Sequence, residues 1–343
     1  MKAALFTGIG RMEQRDLQDP SPAAGEVLVR VTGCGVCGTD VHILHGDITD
    51  GIAPPVVLGH EIAGVVERVA ADVTGLKAGQ RVAVDPVVTC GQCYYCQTNM
   101  PNLCRNLQII GYKRNGGFAQ YCVAPATHVV PLAENVGPEA GILVETLACV
   151  VNGFDRLEPQ AGHSALVIGA GTVGLLWTQM LAGANLAPVA VSEPVAMRRK
   201  QAGKLGAEVL FDPSARDLRR QAARSGLDGF DYVIDASGDP KAVEEAIELV
   251  RPAGKFLIFG VCPKDSQIKV NPFELYNKQI SIIASKMPPR TMARAARMIE
   301  AGRIEAAAIV TQTWPLKKLD KAMEGFSKSR DRQIKVMVDP WRS

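Results

Sequence analysis

The sequence has no uninterrupted apolar stretch near the roughly eighteen residues that a membrane-crossing helix needs. Its opening, Met1-Lys2-Ala3-Ala4-Leu5-Phe6-Thr7-Gly8, breaks too early for a signal-peptide core. The expectation is a soluble, cytoplasmic protein with no membrane partner. It also lacks blocks of like charge: 38 Lys plus Arg stand against 35 Asp plus Glu, a net +3 without any long basic run. That argues against a surface built to neutralise a nucleic-acid backbone and leaves small molecules as the expected partners. Internal repeats and low-complexity segments are missing too, so nothing suggests a solenoid or a disordered linker.

What is present is ordinary globular material, 47% hydrophobic and 21% charged over 343 residues, enough for about two domains. From about residue 160, β-branched runs alternate with alanine-rich amphipathic stretches, the pattern of βα units around a parallel sheet. The strands read as Ala165 to Ile168, Pro188 to Ser192, Val209 to Phe211, Tyr232 to Ile234, Lys255 to Val261 and Ile280 to Ala284. Helices are expected over Ala196 to Leu205 and over Pro240 to Val250, the second stopping before Pro252 and Gly254. The first 140 residues differ. Gly, Pro and Val are frequent, helical periodicity is scarce, and runs such as Glu26 to Val31 and Ile62 to Glu67 alternate like half-buried strands. After about residue 286, one helix from Met292 to Ala301 and one strand from Gln333 to Val338 are too little to fold alone and are expected to return to the first domain.

Nine cysteines are present, four of them in Cys90-Gly-Gln-Cys93-Tyr-Tyr-Cys96 and Cys104. This C-x2-C-x2-C-x7-C spacing predicts a closed, all-thiolate zinc site with no position for substrate, hence a structural one. A nucleic-acid zinc ribbon would need a second C-x2-C at longer range and a basic face, and no such pair follows the lobe, nor is there a basic run. Earlier, Cys37-Gly38-Thr39-Asp40-Val41-His42 and Gly59-His60-Glu61 offer a thiolate, an imidazole and a carboxylate, the mixed donors of a catalytic zinc with one open position. Cys34 and Cys37 also form a C-x-x-C pair. A redox role for it is disfavoured, because the thioredoxin-like form sits at a helix start inside a βαβ pattern, which is not expected here.

A third motif is Gly169-Ala170-Gly171-Thr172-Val173-Gly174, read as a turn between a strand and a helix, with Glu193 nineteen positions further on. Glycines in this context allow a tight turn and a close approach to a dinucleotide pyrophosphate, and the acidic residue suits the ribose hydroxyls. Glu193 therefore favours NAD over NADP, while Arg198 and Arg199 nearby would suit a 2′-phosphate.

Taken together, these motifs in this order resemble the zinc-dependent medium-chain alcohol dehydrogenase family, end to end, and within it the sorbitol, polyol and threonine dehydrogenase branch. Glu145-Thr146-Leu147 stands where that branch usually has Glu-Pro-Leu. The resemblance implies an α/β chain: a GroES-like, mainly β catalytic domain (1–145 and 287–343) carrying two zinc ions, and a Rossmann NAD-binding domain (146–286). It implies Cys37 and His60 as ligands of the catalytic zinc, with Glu61 and Glu145 both candidates for its carboxylate partner. Asp40 is implied to orient His60, and Thr39 and His42 to relay a proton. Val261, in Phe259-Gly260-Val261, would lie at the nicotinamide.

The implied reaction is hydride transfer between NAD and a secondary hydroxyl of a polyol, or its phosphate, with L-threonine as the rival substrate. Lys113 and Arg114, and likewise Lys286 and Arg290, are candidates for a substrate phosphate. A homo-oligomer, dimer or tetramer, is implied by the same branch. Two other readings are a zinc-free quinone reductase and a non-enzymatic dinucleotide-responsive module. The joint presence of Cys37, Thr39, His42, His60 and Glu145 opposes both.

Overall fold

The computed structural model describes residues 1–215, 217–328 and 331–343. The chain divides into two compact units. One holds Met1–Ala148, Met287–Gly302 and Ala306–Ser343, the other Cys149–Lys286 and Arg303–Glu305.

Valine-rich strands build the first unit. Val27, Val29 and Val31 of the strand Glu26–Gly35, and Val82 and Val84 of Arg81–Val84, are fully buried, and the core continues through Leu58, Ile62 and Phe118. Each such side chain contributes about 1.5–3 kcal/mol by leaving water. The sheet runs Val129–Pro131, Arg81–Val84, Glu61–Val69, Glu26–Gly35, Lys335–Asp339, Val310–Pro315, with Tyr121–Pro125 also paired to Glu26–Gly35. Late residues thus return to the first unit as two paired strands.

The antiparallel register between Glu26–Gly35 and Glu61–Val69 sets Gly35 opposite Glu61 and Cys34 opposite Ile62. It needs Gly64, where an added Cβ would lie 2.5 Å from the Arg30 carbonyl oxygen. Beyond Gly35 the chain enters a helix, Gly38–His45, that the scarcity of helical periodicity had not indicated. Cys37 caps it and donates its backbone N–H to Asp40 Oδ2 at 3.0 Å. The C-x-x-C pair therefore does meet a helix start, contrary to the sequence reading, although Cys34 belongs to an antiparallel sheet rather than a βαβ unit.

The second unit carries six parallel strands in the order Val209–Phe211, Val189–Ser192, Ala165–Ile168, Phe230–Asp235, Val250–Ile258, Ser281–Ala284. This is the doubly wound dinucleotide-binding order. One expectation fails. Pro252 and Gly254 do not close a helix running to Val250. The helix Pro240–Ile247 ends earlier, and the strand Val250–Ile258 runs through both residues, with a register shift and Ala253 at φ 63°. A bulge absorbs the proline's missing N–H and the positive φ, which a pattern of turn residues cannot distinguish from a loop.

Gly174 follows Thr172 and Val173 in the first turn of the helix Thr172–Gly183, where an added Cβ would lie 1.9 Å from the Gly169 carbonyl oxygen. Two backbones meet there, so no side chain can yield. Gly174→Ala is expected to lower the melting temperature, at a cost of about 1–3 kcal/mol, and to abolish any dinucleotide binding seen in a fluorescence titration of the parent. Unchanged binding would show that this contact does not shape the loop.

Candidate metal centres and dinucleotide loop

The four-cysteine segment brings its sulfurs together. Cys93 Sγ lies 3.5 Å from Cys96 Sγ and 3.8 Å from Cys104 Sγ, and Cys104 Sγ lies 3.5 Å from Cys90 Sγ. These separations are far beyond the ~2.05 Å of a disulfide and close to the ~3.8 Å edge of a tetrahedron with ~2.3 Å zinc–sulfur bonds. Backbone N–H groups of Cys90 and Asn106 point at Cys104 Sγ at 3.4 and 3.3 Å. Hydrogen bonds from the Arg105 and Cys96 amides pull the Cys93 thiol down to about 6, whereas burial pushes Cys96 up to about 11. Amides aimed at sulfur favour thiolate, the form a metal requires.

The second cluster lies at the end of the ladder. One donor atom each from Cys37, His60 and Glu61 lies within 4.8 Å of the others. Burial opposes charge on His60, yet Asp40, Tyr112 and the Cys37 sulfur outweigh it and hold the imidazole well above its ordinary range. Surroundings that hold a proton so strongly also favour a metal cation. The donors and their spacing thus fit a single zinc ion. Glu145, in the helix Leu143–Leu157, does not join this group, but it is buried close enough to His60, Glu61, Lys335 and Asp85 to feel their charge. Burial is the main cause that lifts its carboxyl to about 7.

Behind Glu61 stands Lys335, which sequence reasoning missed. Their side chains, 1% and 2% exposed, form an ion pair, and the Lys335 ammonium also donates to the Val36 carbonyl at 3.0 Å. The approach depends on Gly35, where an added Cβ would fall 2.0 Å from Glu61 Oε2 and 2.9 Å from Lys335 Cε. The remaining carboxylate oxygen of Glu61 accepts a 2.9 Å hydrogen bond from the Thr146 hydroxyl. The available sequence signal was a lysine within the apolar run Ile334 to Val338.

Asp40 is fully buried but only partly fills its expected role. It lies 3.6 Å from His60 Nδ1, close enough to attract charge and too far for a formed hydrogen bond, and it accepts instead from the amides of Cys37 and Gly59. Thr39 Oγ1 lies 3.6 Å from Cys37 Sγ. Tyr112, a second residue not singled out from sequence, meets the His60 ring edge-on with centroids 5.6 Å apart. His42 stands further out, half exposed, with Nδ1 2.9 Å from Asp47. Arg114 is committed to an ion pair with Glu26, which removes it as a phosphate candidate, while Lys113 is exposed.

In the second unit, Gly169 adopts φ 97° and Gly171 caps the helix Thr172–Gly183. Glu193 accepts from the amides of Ala170 at 2.7 Å and Val195 at 2.9 Å, which ties it to the glycine loop. The two arginines separate. Arg199 donates to the Glu193 and Pro194 carbonyls and to Asp212, whereas Arg198 stands over the loop, its Nη1 3.8 Å from where a Gly171 Cβ would be. Val261 is 71% exposed.

Residues 23–134 match the alcohol dehydrogenase GroES-like domain, and residues 172–301 match the zinc-binding dehydrogenase domain. The chain is 37% identical to D-altritol 5-dehydrogenase of Agrobacterium fabrum over 323 residues, covering 93% of this chain and 94% of that one. A crystal structure of a zinc-binding dehydrogenase from Sinorhizobium meliloti 1021 bound to NADP superposes with a TM-score of 0.95 at 33% identity, covering 99% of both chains. The rspB alcohol dehydrogenase of E. coli CFT073, complexed with NADH, gives 0.93 at 30% identity, again covering 99% of both. With both domain families matched and similarity to a dehydrogenase along nearly its whole length, the chain belongs to the zinc-dependent medium-chain alcohol dehydrogenase family of oxidoreductases.

Proposed function

We propose that this protein transfers hydride between NAD and a secondary hydroxyl of a polyol, using one catalytic and one structural zinc per chain. The observation that carries this reading is the convergence of Cys37, His60 and Glu61 donor atoms within 4.8 Å, with buried Glu145 coupled to them. When bound, zinc supplies Lewis acidity and NAD supplies the hydride acceptor.

The chain's own residues do the rest. Half-buried Cys37 and buried His60 would hold the metal, and fully buried Asp40 lies 3.6 Å behind the imidazole. Thr39, beside Cys37, takes the substrate proton, and half-exposed His42 with Asp47 provides the exit to solvent. Glu145, lifted toward neutrality by burial, orients the substrate hydroxyl or shuttles its proton. Gly169, Gly171, Thr172, Val173 and Gly174 would form the pyrophosphate cradle, and Glu193 and Arg198, both beside that loop, would face the adenosine ribose. The negative charge of Glu193 at that loop supports NAD over NADP. Similarity to a D-altritol dehydrogenase supports a polyol.

NAD and NADP reduction is measured over a panel of polyols, their phosphates and L-threonine, with and without prior chelation. Chelator-sensitive turnover of a polyol with NAD is expected. Turnover of L-threonine alone would replace the substrate class, and silence from protein holding two zincs per chain would sink the reading.

Thr39→Val is expected to lose about 10²-fold or more in kcat while keeping both zincs, as removal of a proton-transfer group does. Unaltered turnover would take Thr39 out of the relay. Cys93→Ser is expected to lose one zinc per chain and melt at a lower temperature, with the second zinc retained. Loss of neither metal would deny the lobe its structural role.

A further inference from the structure

The segment Gly111-Tyr112-Lys113-Arg114-Asn115-Gly116-Gly117 offered two basic side chains for a substrate phosphate. Arg114 is committed to Glu26, and Lys113 is exposed. The side chain that this segment turns towards His60 is instead Tyr112.

The backbone holds it there. Gly111, at φ 93°, and Gly116 both lie against Gly59, the residue before His60, and an added Cβ would fall 2.9 Å and 2.1 Å from the Gly59 carbonyl oxygen. Gly117 donates to that same oxygen at 2.8 Å, and the Tyr112 carbonyl accepts from the Ala53 amide at 3.0 Å. Glycine is what permits so close an approach. It brings the Tyr112 ring edge-on to the His60 ring, with centroids 5.6 Å apart and planes at 86°.

The phenol end lies among the donors of the site. His60, Cys37 and Asp40 are close enough for their charges to act on it, and the Thr39 side chain is its polar neighbour. Burial pushes the phenol well above its ordinary range, so it stays a neutral hydroxyl that can both give and accept a hydrogen bond. In the proposed reaction Thr39 takes the proton of the reacting hydroxyl. A polyol carries another hydroxyl on the adjoining carbon, which an apolar wall would leave unpaired at a cost in binding. Beside Thr39, Tyr112 provides a partner for it.

We propose that Tyr112 is a specificity-determining residue whose phenol hydroxyl bonds the substrate hydroxyl next to the one being oxidised, so that the site takes vicinal diols in preference to simple secondary alcohols. The inference rests on the polyol reading and deepens it, and it asks for no phosphate on the substrate.

Oxidation of butane-2,3-diol and of butan-2-ol compares two secondary alcohols that differ by one neighbouring hydroxyl. The parent should show a kcat/KM about tenfold higher on the diol, the worth of one good neutral hydrogen bond. Tyr112→Phe keeps the ring and its contact with His60. It should bring the two alcohols to within about twofold of each other, chiefly by raising KM for the diol, while zinc content stays at two per chain. If Tyr112→Phe does not fold, Tyr112→Met carries the same comparison. A parent without the preference, or a variant that retains it, overturns the proposal. An equal fall on both alcohols, or loss of a zinc from the variant, would make Tyr112 a support of Thr39 or His60 and overturns it as well. Turnover of longer polyols with neither probe oxidised overturns this inference alone, whereas no turnover of any polyol sinks the polyol reading and this inference with it.

Discussion

The pairing of Glu26–Gly35 with Glu61–Val69 is the constraint on which the candidate catalytic site depends. Its antiparallel register sets Gly35 against Glu61, so Cys37, two residues past one strand, meets His60, the residue before the other. A slip of one residue would turn Glu61 to the opposite face and leave Lys335 without its partner. The glycines fix this register sterically. Gly64 admits the neighbouring backbone, and Gly35 admits the carboxylate and ammonium. The geometry of the candidate site follows from strand pairing.

Around that point the charges form a balanced set. Buried Glu61, Asp40 and Glu145 stand near half-buried Cys37, and Lys335 is a buried cation among them. Burial alone would make such a group of acids costly. Lys335 offsets Glu61, the amides of Cys37 and Gly59 offset Asp40, and burial lifts the Glu145 carboxyl to about 7. The four-cysteine lobe solves a similar problem differently, with backbone amides directed at sulfur.

Much of this was legible in the sequence because the chemistry is local. Four cysteines within fifteen positions, or three glycines between a strand and a helix, carry their own spacing. The dinucleotide fold was legible for the same reason, as each βα unit repeats a short pattern. The helix Gly38–His45 was hidden because Gly38, Thr39 and Asp40 are poor helix formers, and it stands on its cap rather than on an apolar stripe. Lys335 was hidden because its meaning lies in partners far along the chain. The strand through Pro252 was hidden because breaker residues in a bulge look the same as breaker residues in a loop. Asp40 shows a subtler limit: the residue was found, but its hydrogen bonds go to amides, which no side-chain pattern records.

The ion pair behind Glu61 also has a consequence for how the protein is made. Lys335 and Val36, which its ammonium touches, are 299 residues apart, and every residue of the second unit is synthesised between them. A nascent chain that has emerged only through Glu61 and Glu145 cannot complete the pocket, because the cation it needs has not been translated. Closing so long a loop is slow compared with local pairing. The second unit, whose strands are contiguous in sequence, can therefore be finished first, and the pocket around Glu61 matures as a late step of biogenesis.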